Sequence, residues 1–412
     1  MAAQSGGKSE NVVLEPYIHQ VGGRSSMLCL DEFTLCKPLI LQELKFYENL
    51  PDDLKPFTSE YKGVVEVALL EDPDGYLTLT AHPSYDLLKN GCASSHSIKG
   101  TESITSIKAR KYRMRWQKAG SVEIEPVLTD GTQLFEEQDD GKDSLTTHNP
   151  WIVRCHNLQI QRFLSSSGSP REFLLLENLT ARYTFPCILD LKMGTRQYAD
   201  DASEEKRRSL DAKTAATTSS PLGLRICGMQ VYQQNLGYYK CHNKYFGRSL
   251  NVEGFRQTLY HFLHDGVRFR LDILLPLIER LQTLTQVIEK LESFRFYTSS
   301  LLILYEGEGH DGNSNDCSSE TPLPPNDRVF TKRPQTPVVD VRMIDFAHSV
   351  YSPKDKGPDE GYLFGLRNLI VQLQILKQDN LSSATEALQL KNDNVATATA
   401  KKVEVVARTT KN

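Results

Sequence analysis

The 412-residue sequence has no apolar run of about 18 residues, the length that a membrane-spanning helix needs. Residues 1–10 also lack the apolar core of a signal peptide. The eight cysteines include no C-x-x-C pair, so neither a zinc site nor a disulfide framework is indicated. From these absences we expect a soluble intracellular protein whose thiols are reduced.

Basic residues are not in excess either, because the formal net charge is −4. Proteins that bind nucleic acids are typically basic, so we expect no direct nucleic-acid binding. An anionic ligand would need a local cluster of basic residues. One such cluster occupies residues 108–115 beside Trp116. A solvated loop is the simpler interpretation of this cluster, and a nuclear-import signal is the alternative.

Three phosphate-transfer motifs are missing from the chain. It contains neither G-x-G-x-x-G nor G-x-x-x-x-G-K-[ST], which excludes a P-loop and a standard glycine-rich loop. It also lacks the H-R-D catalytic loop of protein kinases, whose Asp accepts the proton of a substrate hydroxyl. Any phosphotransfer would therefore use other residues.

The pattern of apolar residues predicts an α/β (α+β) protein with two lobes around a cleft. Alternating apolar residues near the amino terminus predict an antiparallel sheet, and later segments combine buried strands with amphipathic helices. Segments rich in Ser, Gly, Asn and charged residues predict long disordered insertions. The predicted units are an N-lobe (12–180) with a mobile insertion (83–149), a C-lobe (181–376) with a mobile loop (307–337), and a disordered tail (377–412).

A helix is predicted from Pro276 to Leu291, because leucine and isoleucine recur there at helical spacing. Pro276 is placed at the helix start, where the fixed φ of proline suits the first turn. Such a stripe is more typical of a core-facing helix than of a binding surface.

Asp190 and Lys192 are the most informative pair of polar residues. They lie two apart in an apolar segment that is predicted to be a strand, so both side chains point to the same side. An exposed ion pair at a sheet edge is the simpler interpretation. The apolar neighbours favour a buried strand instead, and a buried Asp and Lys need polar partners.

Lys37 and Asp345 suggest a nucleotide site. Lys37 follows a predicted strand, and Glu43 and Glu48 lie on the helix-like segment 41–50, an arrangement that is typical of kinases. Asp345 ends a second apolar strand, where its carboxylate could bind Mg²⁺. A carboxylate that caps the strand end is the alternative for Asp345.

A basic cluster follows the Asp190–Lys192 segment and contains Arg196, Lys206, Arg207, Arg208 and Lys213. Between residues 186 and 256 basic residues outnumber acidic ones, although the whole chain is slightly acidic. One interpretation is a set of cations that binds a polyanion. The alternative is a surface helix stabilised by ion pairs between Glu and Lys or Arg.

Together these segments resemble the inositol polyphosphate kinase family, whose signature is P-x-x-x-D-x-K-x-G. Here the signature reads Pro186, Asp190, Lys192 and Gly194, and the surrounding string is most like the inositol hexakisphosphate kinase branch. Segments 19–23, 227–232 and 299–302 also match the family. The resemblance covers most of residues 12–376.

The resemblance implies a two-lobed kinase-like fold, with an antiparallel-sheet N-lobe and a mixed, larger C-lobe. It also implies a role for each matching residue. Asp190, Lys192 and Asp345 would be catalytic, and Lys37, Glu177 and Leu179 would bind ATP together with Asp190 and Asp345. Asp345 and Ser299 would lie at Mg²⁺. Lys192, Arg196, Lys206, Arg207 and Lys213 would bind the inositol phosphate.

The reaction implied is transfer of a phosphoryl group from ATP to a phosphate of inositol hexakisphosphate, which gives a diphosphoinositol pentakisphosphate. A phosphate monoester has a second pKa near 6, so its oxygen is already deprotonated at neutral pH and needs no general base. The missing H-R-D loop is consistent with this chemistry.

Two alternatives stay open at this stage. One is a multikinase that phosphorylates hydroxyls of less phosphorylated inositols, and the other is a non-catalytic inositol phosphate-binding scaffold. We further expect the protein in the cytoplasm and the nucleus, with its long loops available to protein partners.

Overall fold

The structure is a computed structural model that describes residues 12–71, 76–82, 112–116, 122–126, 133–139, 142–166, 169–308, 339–352 and 356–382. Its strands are β1 Val12–Pro16, β2 Leu28–Asp31, β3 Thr34–Pro38, β4 Tyr61–Glu71, β5 Tyr76–His82, β6 Tyr112–Trp116, β7 Val122–Pro126, β8 Phe135–Asp139, β9 Lys142–Thr146, β10 Arg171–Glu177, β11 Pro186–Met193, β12 Leu224–Gln233, β13 Tyr238–His242, β14 Phe294–Tyr297, β15 Ser300–Glu306, β16 Val339–Ile344 and β17 His348–Tyr351.

The helices include one short 3₁₀ segment, Asp52–Phe57. The α-helices are α1 Leu41–Glu48, α2 Trp151–Ser165, α3 Glu204–Ala215, α4 Ser219–Leu222, α5 Lys244–Ser249, α6 Val252–Phe262, α7 Leu271–Lys290 and α8 over the described residues 360–382. Within the described part of the chain, no helix is long and apolar enough to cross a membrane.

The N-lobe is built on an antiparallel sheet with the order β1-β2-β3-β10-β4-β5-β6-β7. β1 pairs with β2 and also with β5, so six of these strands form a closed ring. Side chains on one face of the strands, such as Leu14, Val67 and Phe173, are buried together with Ile160 and Phe163 of α2. The prediction of an antiparallel N-lobe is confirmed.

The C-lobe contains a mixed sheet with the order β16-β15-β11-β12-β13-β8-β9, in which β8 runs parallel to β13. α6, α7 and α8 contribute to its core through residues such as Phe255, Leu281 and Leu366, each buried to 99% or more. The C-lobe core is larger than that of the N-lobe, so the predicted mixed and larger second lobe is also confirmed.

The segment 83–149, which was predicted to be a mobile insertion, contains β-strands. That segment contributes β6 to β9, so the expectation that it lacks regular structure is wrong for these residues. β8 and β9 belong to the C-lobe sheet, and Phe135 of β8 is fully buried against Tyr239. Residues 83–111 lie outside the described residues, and so do most of the predicted loop 307–337 and tail 377–412.

The predicted start of the long C-lobe helix is also wrong. α7 begins at Leu271, and Pro276 lies inside it. A proline at the sixth position removes a hydrogen bond that would otherwise run to the carbonyl four residues earlier. Burial of Ile273, Leu274 and Leu277 on one face of the first turns accounts for a helix that continues through this position.

The two lobes contact each other at β16, the strand that ends immediately before Asp345. Thr58 forms a β-bridge with Met343, and Arg342 donates from Nη1 to the Thr58 carbonyl oxygen at 2.6 Å. Asp340 holds the guanidinium of Arg342 at 2.8 Å. The end of β16 is therefore fixed against the N-lobe.

Candidate active site

β11 is a central strand, hydrogen-bonded to β12 on one side and to β15 on the other. Asp190 is 95% buried within it, and Lys192 lies two residues further along the same strand. The interpretation as an ion pair at a sheet edge is therefore wrong. The two side chains belong to the interior of the C-lobe sheet where it faces the N-lobe.

Lys37 connects the two lobes through ion pairs. Its Nζ lies 2.7 Å from Oε1 of Glu43 on α1 and 2.7 Å from Oδ1 of Asp345 in the C-lobe. β3 places Lys37 beside α1 because the chain turns directly from this strand into the helix. The predicted strand lysine and helix glutamate therefore pair, and Glu48 takes no part in this contact.

Asp345 follows β16 in a left-handed backbone conformation, with φ of 65°. This region is uncommon for residues other than glycine, although aspartate tolerates it better than most. The next residue fixes the conformation, since the Phe346 N–H donates to Glu43 Oε1 at 3.0 Å and its ring stacks on Phe46 at 4.1 Å. Glu43 thus positions both Lys37 and the backbone beside Asp345.

Lys192 is the fourth member of this cluster and comes from β11 of the C-lobe. Its Nζ lies 3.7 Å from Asp345 Oδ2 and donates to the carbonyl oxygen of Thr298. Thr298 is also left-handed, with φ of 59°. Asp345 is therefore placed between two ammonium groups, one from each lobe.

The charges of this cluster stabilise one another. Burial alone would raise the pKa of Asp345, but Lys37 and Lys192 outweigh it and hold that pKa well below its usual range. Burial would lower the pKa of Lys37, whereas Asp345 and Glu43 raise it well above its usual value. At neutral pH Lys37 is therefore positively charged and Asp345 negatively charged.

Asp190 is different because the structure gives its Oδ1 no hydrogen-bond partner within the described part of the chain. Burial raises its pKa to about 6, and the charge of Asp345 adds to the effect while Lys192 opposes it. Gly22 packs directly on this carboxylate, since a Cβ at position 22 would lie 2.2 Å from Asp190 Oδ2. The Gly22–Gly23 loop therefore needs glycine at position 22 to approach β11.

Glu177 and Leu179 lie in the connection between β10 and β11. The Glu177 N–H donates to the Glu60 carbonyl oxygen at 2.9 Å, so adenine would have to be bound by other backbone groups of this connection. Leu179 packs on an apolar cluster that includes Val21 and Ile188. This cluster joins the glycine loop, the connection and β11, and it gives the cleft an apolar wall.

The predicted substrate-binding residues do not form one group. Arg196 binds Asp200 and the Tyr297 hydroxyl, and Arg207 donates to backbone carbonyl oxygens. Lys206 is exposed on α3, a helix that buries none of its residues. The Glu204–Arg208 ion pair on this helix fits the alternative interpretation, a charged surface helix.

Ser299 is fully buried, and its hydroxyl donates to the Phe296 carbonyl oxygen at 2.8 Å. The next residue, Ser300, lies opposite Lys192 in the sheet register, and its buried hydroxyl interacts with the Asp190 carboxyl and acts to lower the pKa of that group. A metal role for Ser299 stays a prediction.

Lys213 lies elsewhere, in a pocket that the sequence did not reveal. Arg24, Arg154, Arg162, Lys244 and Arg248 line the same pocket. Only the local excess of basic residues in 186–256 was a signal for it, and that signal could not identify Arg24 or the two arginines of α2. Contacts between distant segments create this group.

The fold and the Lys37–Glu43–Asp345–Lys192 cluster have the organisation of a two-lobed, nucleotide-dependent phosphotransferase. The family model described as "Inositol polyphosphate kinase" matches residues 173–374. The chain is 41% identical to inositol hexakisphosphate kinase 1 of Homo sapiens over 90% of this chain and 95% of that protein. It is 42% identical to inositol hexakisphosphate kinase 3 of Mus musculus over 89% of this chain and 96% of that protein.

Among solved structures, the chain resembles inositol phosphate multikinase of S. cerevisiae in complex with ADP and Mn²⁺. That similarity has a TM-score of 0.41 and 26% identity, and it covers 50% of this chain and 84% of the other. On the extent of its identity to the hexakisphosphate kinases, the chain belongs to the inositol polyphosphate kinase family.

Proposed function

We propose that this chain transfers the γ-phosphoryl group of ATP to a phosphate of inositol hexakisphosphate. The observation that carries the proposal is the cluster of Lys37 and Lys192 around Asp345, in which two cations from opposite lobes meet one carboxylate. Phosphoryl transfer depends mainly on positioning and on neutralising the charge of the phosphates, and this cluster supplies both.

The nucleotide would lie between the lobes. Leu179, which is partly buried against Val21 and Ile188, would contact adenine. Lys37 would hold the nucleotide phosphates, since its ion pair with Glu43 fixes the position of its Nζ. Asp190 would accept hydrogen bonds from the ribose hydroxyls, since its Oδ1 has no other partner within hydrogen-bonding distance among the described residues.

Asp345 fits a divalent metal, and we propose Mg²⁺. Its side chain is 34% exposed and ionised, and the described residues contain no group of three or more His, Cys, Asp or Glu that could hold a metal alone. Mg²⁺ is usually bound by one or two carboxylates together with substrate phosphates, which matches this single carboxylate. When bound, the metal would neutralise phosphate charge.

In the reaction, an oxygen of a substrate phosphate forms a bond to the γ-phosphorus of ATP. The bond between that phosphorus and the β,γ-bridging oxygen breaks, and ADP leaves with the electron pair. The attacking phosphate is largely deprotonated at pH 7, so no side chain has to remove a proton. Lys192 would contact the transferred phosphoryl group and stabilise its charge.

The named relatives support the choice of substrate, since inositol hexakisphosphate kinases 1 and 3 are similar to the chain over about nine-tenths of its length. The test is to incubate the full chain with Mg²⁺, ATP and either inositol hexakisphosphate or an inositol trisphosphate, and to separate the products by chromatography. We expect a diphosphoinositol pentakisphosphate. A folded chain that phosphorylates only the trisphosphate would contradict the proposal.

We also propose that the protein works in both cytoplasm and nucleus. The basic segment 108–115 supports nuclear entry, although residues 108–111 lie outside the described residues. Microscopy of a tagged full chain should show less nuclear signal after Lys108, Arg110 and Lys111 are changed to Gln. An unchanged distribution would contradict the role of this segment. The long loops would be available to protein partners.

A further inference from the structure

Asp340 is a buried carboxylate that binds two arginines at the boundary between the lobes. It lies in β16 and is 95% buried. Its Oδ2 accepts from Nε of Arg342 at 2.8 Å, and its Oδ1 accepts from Nη2 of Arg280 on α7 at 3.3 Å. The Val341 N–H donates to the same Oδ1 at 2.9 Å. Asp340 therefore fixes the two guanidinium groups from within the C-lobe.

Both arginines bind backbone carbonyl oxygens of the N-lobe. Arg342 donates from Nη1 to Thr58 at 2.6 Å, and Arg280 donates from Nη2 to Pro56 at 2.7 Å. The guanidinium of Arg280 also lies 4.7 Å from the centre of the Phe57 ring. Each of the residues 56–58 is thus contacted by a cation of the C-lobe that Asp340 holds in place.

Apolar burial already attaches this N-lobe segment to the C-lobe. Leu54 and Phe57 are 97% or more buried, in a core that is formed mainly by the C-lobe. A buried ion pair adds little net stability, because the loss of hydration offsets the attraction between the charges. Hydrogen bonds from a guanidinium are directional, however, so we expect Arg280 and Arg342 to set the orientation of the two lobes.

The segment that the arginines bind is connected to the catalytic cluster. Ser59 directly follows it, and the Ser59 Oγ lies 3.2 Å from the hydroxyl of Tyr47 on α1. The same helix carries Glu43, which binds Lys37. A shift of this segment against the C-lobe would therefore move Lys37 relative to Asp345.

Arg342 also reaches the connection between β10 and β11. Its Nη1 lies 3.9 Å from Oε2 of Glu177, and the Glu60 N–H donates to the same oxygen at 3.3 Å. Leu179, the residue expected to contact adenine, lies two positions further along this connection. The position of Arg342 therefore affects both the phosphate side and the adenine side of the expected nucleotide site.

We propose that Asp340 is a positioning residue for phosphoryl transfer. It holds Arg280 and Arg342 against the N-lobe backbone, and this contact fixes Lys37 of the N-lobe at 2.7 Å from Asp345 of the C-lobe. The inference rests on the proposed function, in which the nucleotide lies between the lobes and meets both groups. Small displacements of groups that hold a substrate lower reaction rates strongly.

The test is Asp340→Asn in the full chain. Asn keeps the size of the side chain, but its amide nitrogen is a donor and cannot accept a hydrogen bond from an arginine. We expect the KM for ATP to rise about tenfold, and with it the Kd of N-methylanthraniloyl-ADP measured by fluorescence. The KM for inositol hexakisphosphate should stay within about twofold, because its predicted ligands lie in the C-lobe. A loss of folded protein would lower kcat and leave the KM and Kd values unchanged.

Asp272→Asn is the matched control. Asp272 binds the guanidinium of the buried Arg270 at 2.8 Å, and both residues lie in the C-lobe. This variant should leave the KM for ATP and the Kd of the ADP analogue within about twofold of the parent. A second background, Arg280→Gln with Arg342→Gln, removes the groups through which Asp340 acts. Asp340→Asn should cause less than about a twofold further change there.

Arg280→Gln alone keeps the proposal testable if Asp340→Asn does not fold. The Arg280 side chain is 34% exposed, and its loss should raise the Kd of the ADP analogue by a smaller factor. A folded Asp340→Asn or Arg280→Gln variant that binds the analogue as the parent does would overturn the proposal. An equal rise in the Asp272→Asn control, or additive effects in the arginine background, would also overturn it. The titration contains no inositol phosphate, so failure to form a diphosphate product would contradict the proposed function alone.

Discussion

The catalytic cluster and the basic pocket use positive charge in opposite ways. In the cluster, Lys37 and Lys192 are each within 4 Å of Asp345, and Glu43 adds a second carboxylate to Lys37. In the basic pocket around Lys213, six cations line a half-open space, and among the described residues no carboxylate is recorded in an ion pair with them.

This difference separates two tasks. Paired charges hold each other in a fixed geometry, so the cluster is ordered before the nucleotide binds. Unpaired cations repel one another, and an anion that binds between them relieves this repulsion. The basic pocket is therefore better suited to binding an anion than to catalysis. Each region can therefore be perturbed in a way that should leave the other unchanged.

The largest effect should come from Asp345→Asn, which disrupts the ion pairs of the catalytic cluster. The variant removes the carboxylate between Lys37 and Lys192, so the metal and both lysines lose their common partner. We expect turnover to fall about 10³-fold or more, the scale for removal of a central electrostatic group. Initial rates from product chromatography measure the loss.

The basic pocket should not respond to this change. Trp151 lines this pocket, and the Trp116→Phe variant leaves it as the only tryptophan. Binding of inositol hexakisphosphate, followed by Trp151 emission in the Trp116→Phe background, should stay within about twofold of the parent. Turnover close to that of the parent would refute the role of Asp345.

Asp190→Asn tests the buried carboxylate on the same strand as Lys192. The pKa of Asp190 is about 6 in the folded chain and 3.8 without the protein environment. Between these values the folded state keeps a proton that the unfolded state has released, so stability falls as pH rises from about 4 to 6. The loss is complete above the folded pKa and reaches at most about 3 kcal/mol.

The Asn variant should therefore be more stable than the parent at pH 8 and not at pH 4, while turnover falls. Denaturant unfolding at both pH values measures this, and the exposed Asp53→Asn serves as control. An Asn variant with the same stability difference at pH 4 and pH 8 would contradict a raised pKa.

The difference between the catalytic cluster and the basic pocket also explains which functional residues could be predicted from the sequence. Lys37, Glu43, Asp190, Lys192 and Asp345 lie at strand ends or at fixed spacing, and periodicity placed them on a buried strand or its neighbouring helix. The antiparallel N-lobe was predictable for the same reason. Local pattern therefore singled out these residues one by one, and the resemblance to the inositol polyphosphate kinase family was needed to predict that they share a site.

The basic pocket was not predictable, because its cations come from separate segments of the sequence and no local spacing links them. Arg24 is in a loop, Arg154 is on α2 and Arg248 is on α5. Strand β8 was missed for a related reason, since its pairing with β13 is long-range and tertiary contacts override weak local propensity. β9 pairs only with β8, in a local hairpin.

Gly22→Ala should have a smaller effect, through its contact with Asp190. The added Cβ would lie 2.2 Å from Asp190 Oδ2, so the carboxylate or the loop must move. We expect the KM for ATP to rise about tenfold, with a smaller change in kcat, because nucleotide positioning suffers more than the chemistry.

A double-mutant cycle isolates this contact. In an Asp190→Ala background, Gly22→Ala should have little further effect on KM, since the clashing oxygen is absent. Gly254→Ala is the control, where the nearest atom is the end of the Leu250 side chain at 3.2 Å. Additive effects of the Gly22 and Asp190 substitutions would show that the two residues do not contact each other.

The smallest effect concerns the stability of the basic pocket. Arg154→Gln with Arg248→Gln removes repulsion but also the contacts of both arginines with the Tyr245 ring, so the net change should stay within about 1 kcal/mol. The salt dependence is more informative. Raising NaCl from about 0.01 M to about 0.15 M shortens the screening length from about 30 Å to about 8 Å, which relieves repulsion in the parent.

The Tm of the parent should therefore rise more with salt than the Tm of this double variant, as thermal unfolding by circular dichroism measures. Arg208→Gln with Arg367→Gln should shift the other way, because it removes paired charges whose attraction salt weakens. If both double variants showed the same salt dependence as the parent, the cations of the basic pocket would not be repelling one another. The catalytic cluster and the basic pocket would then not differ in the way that their charges interact.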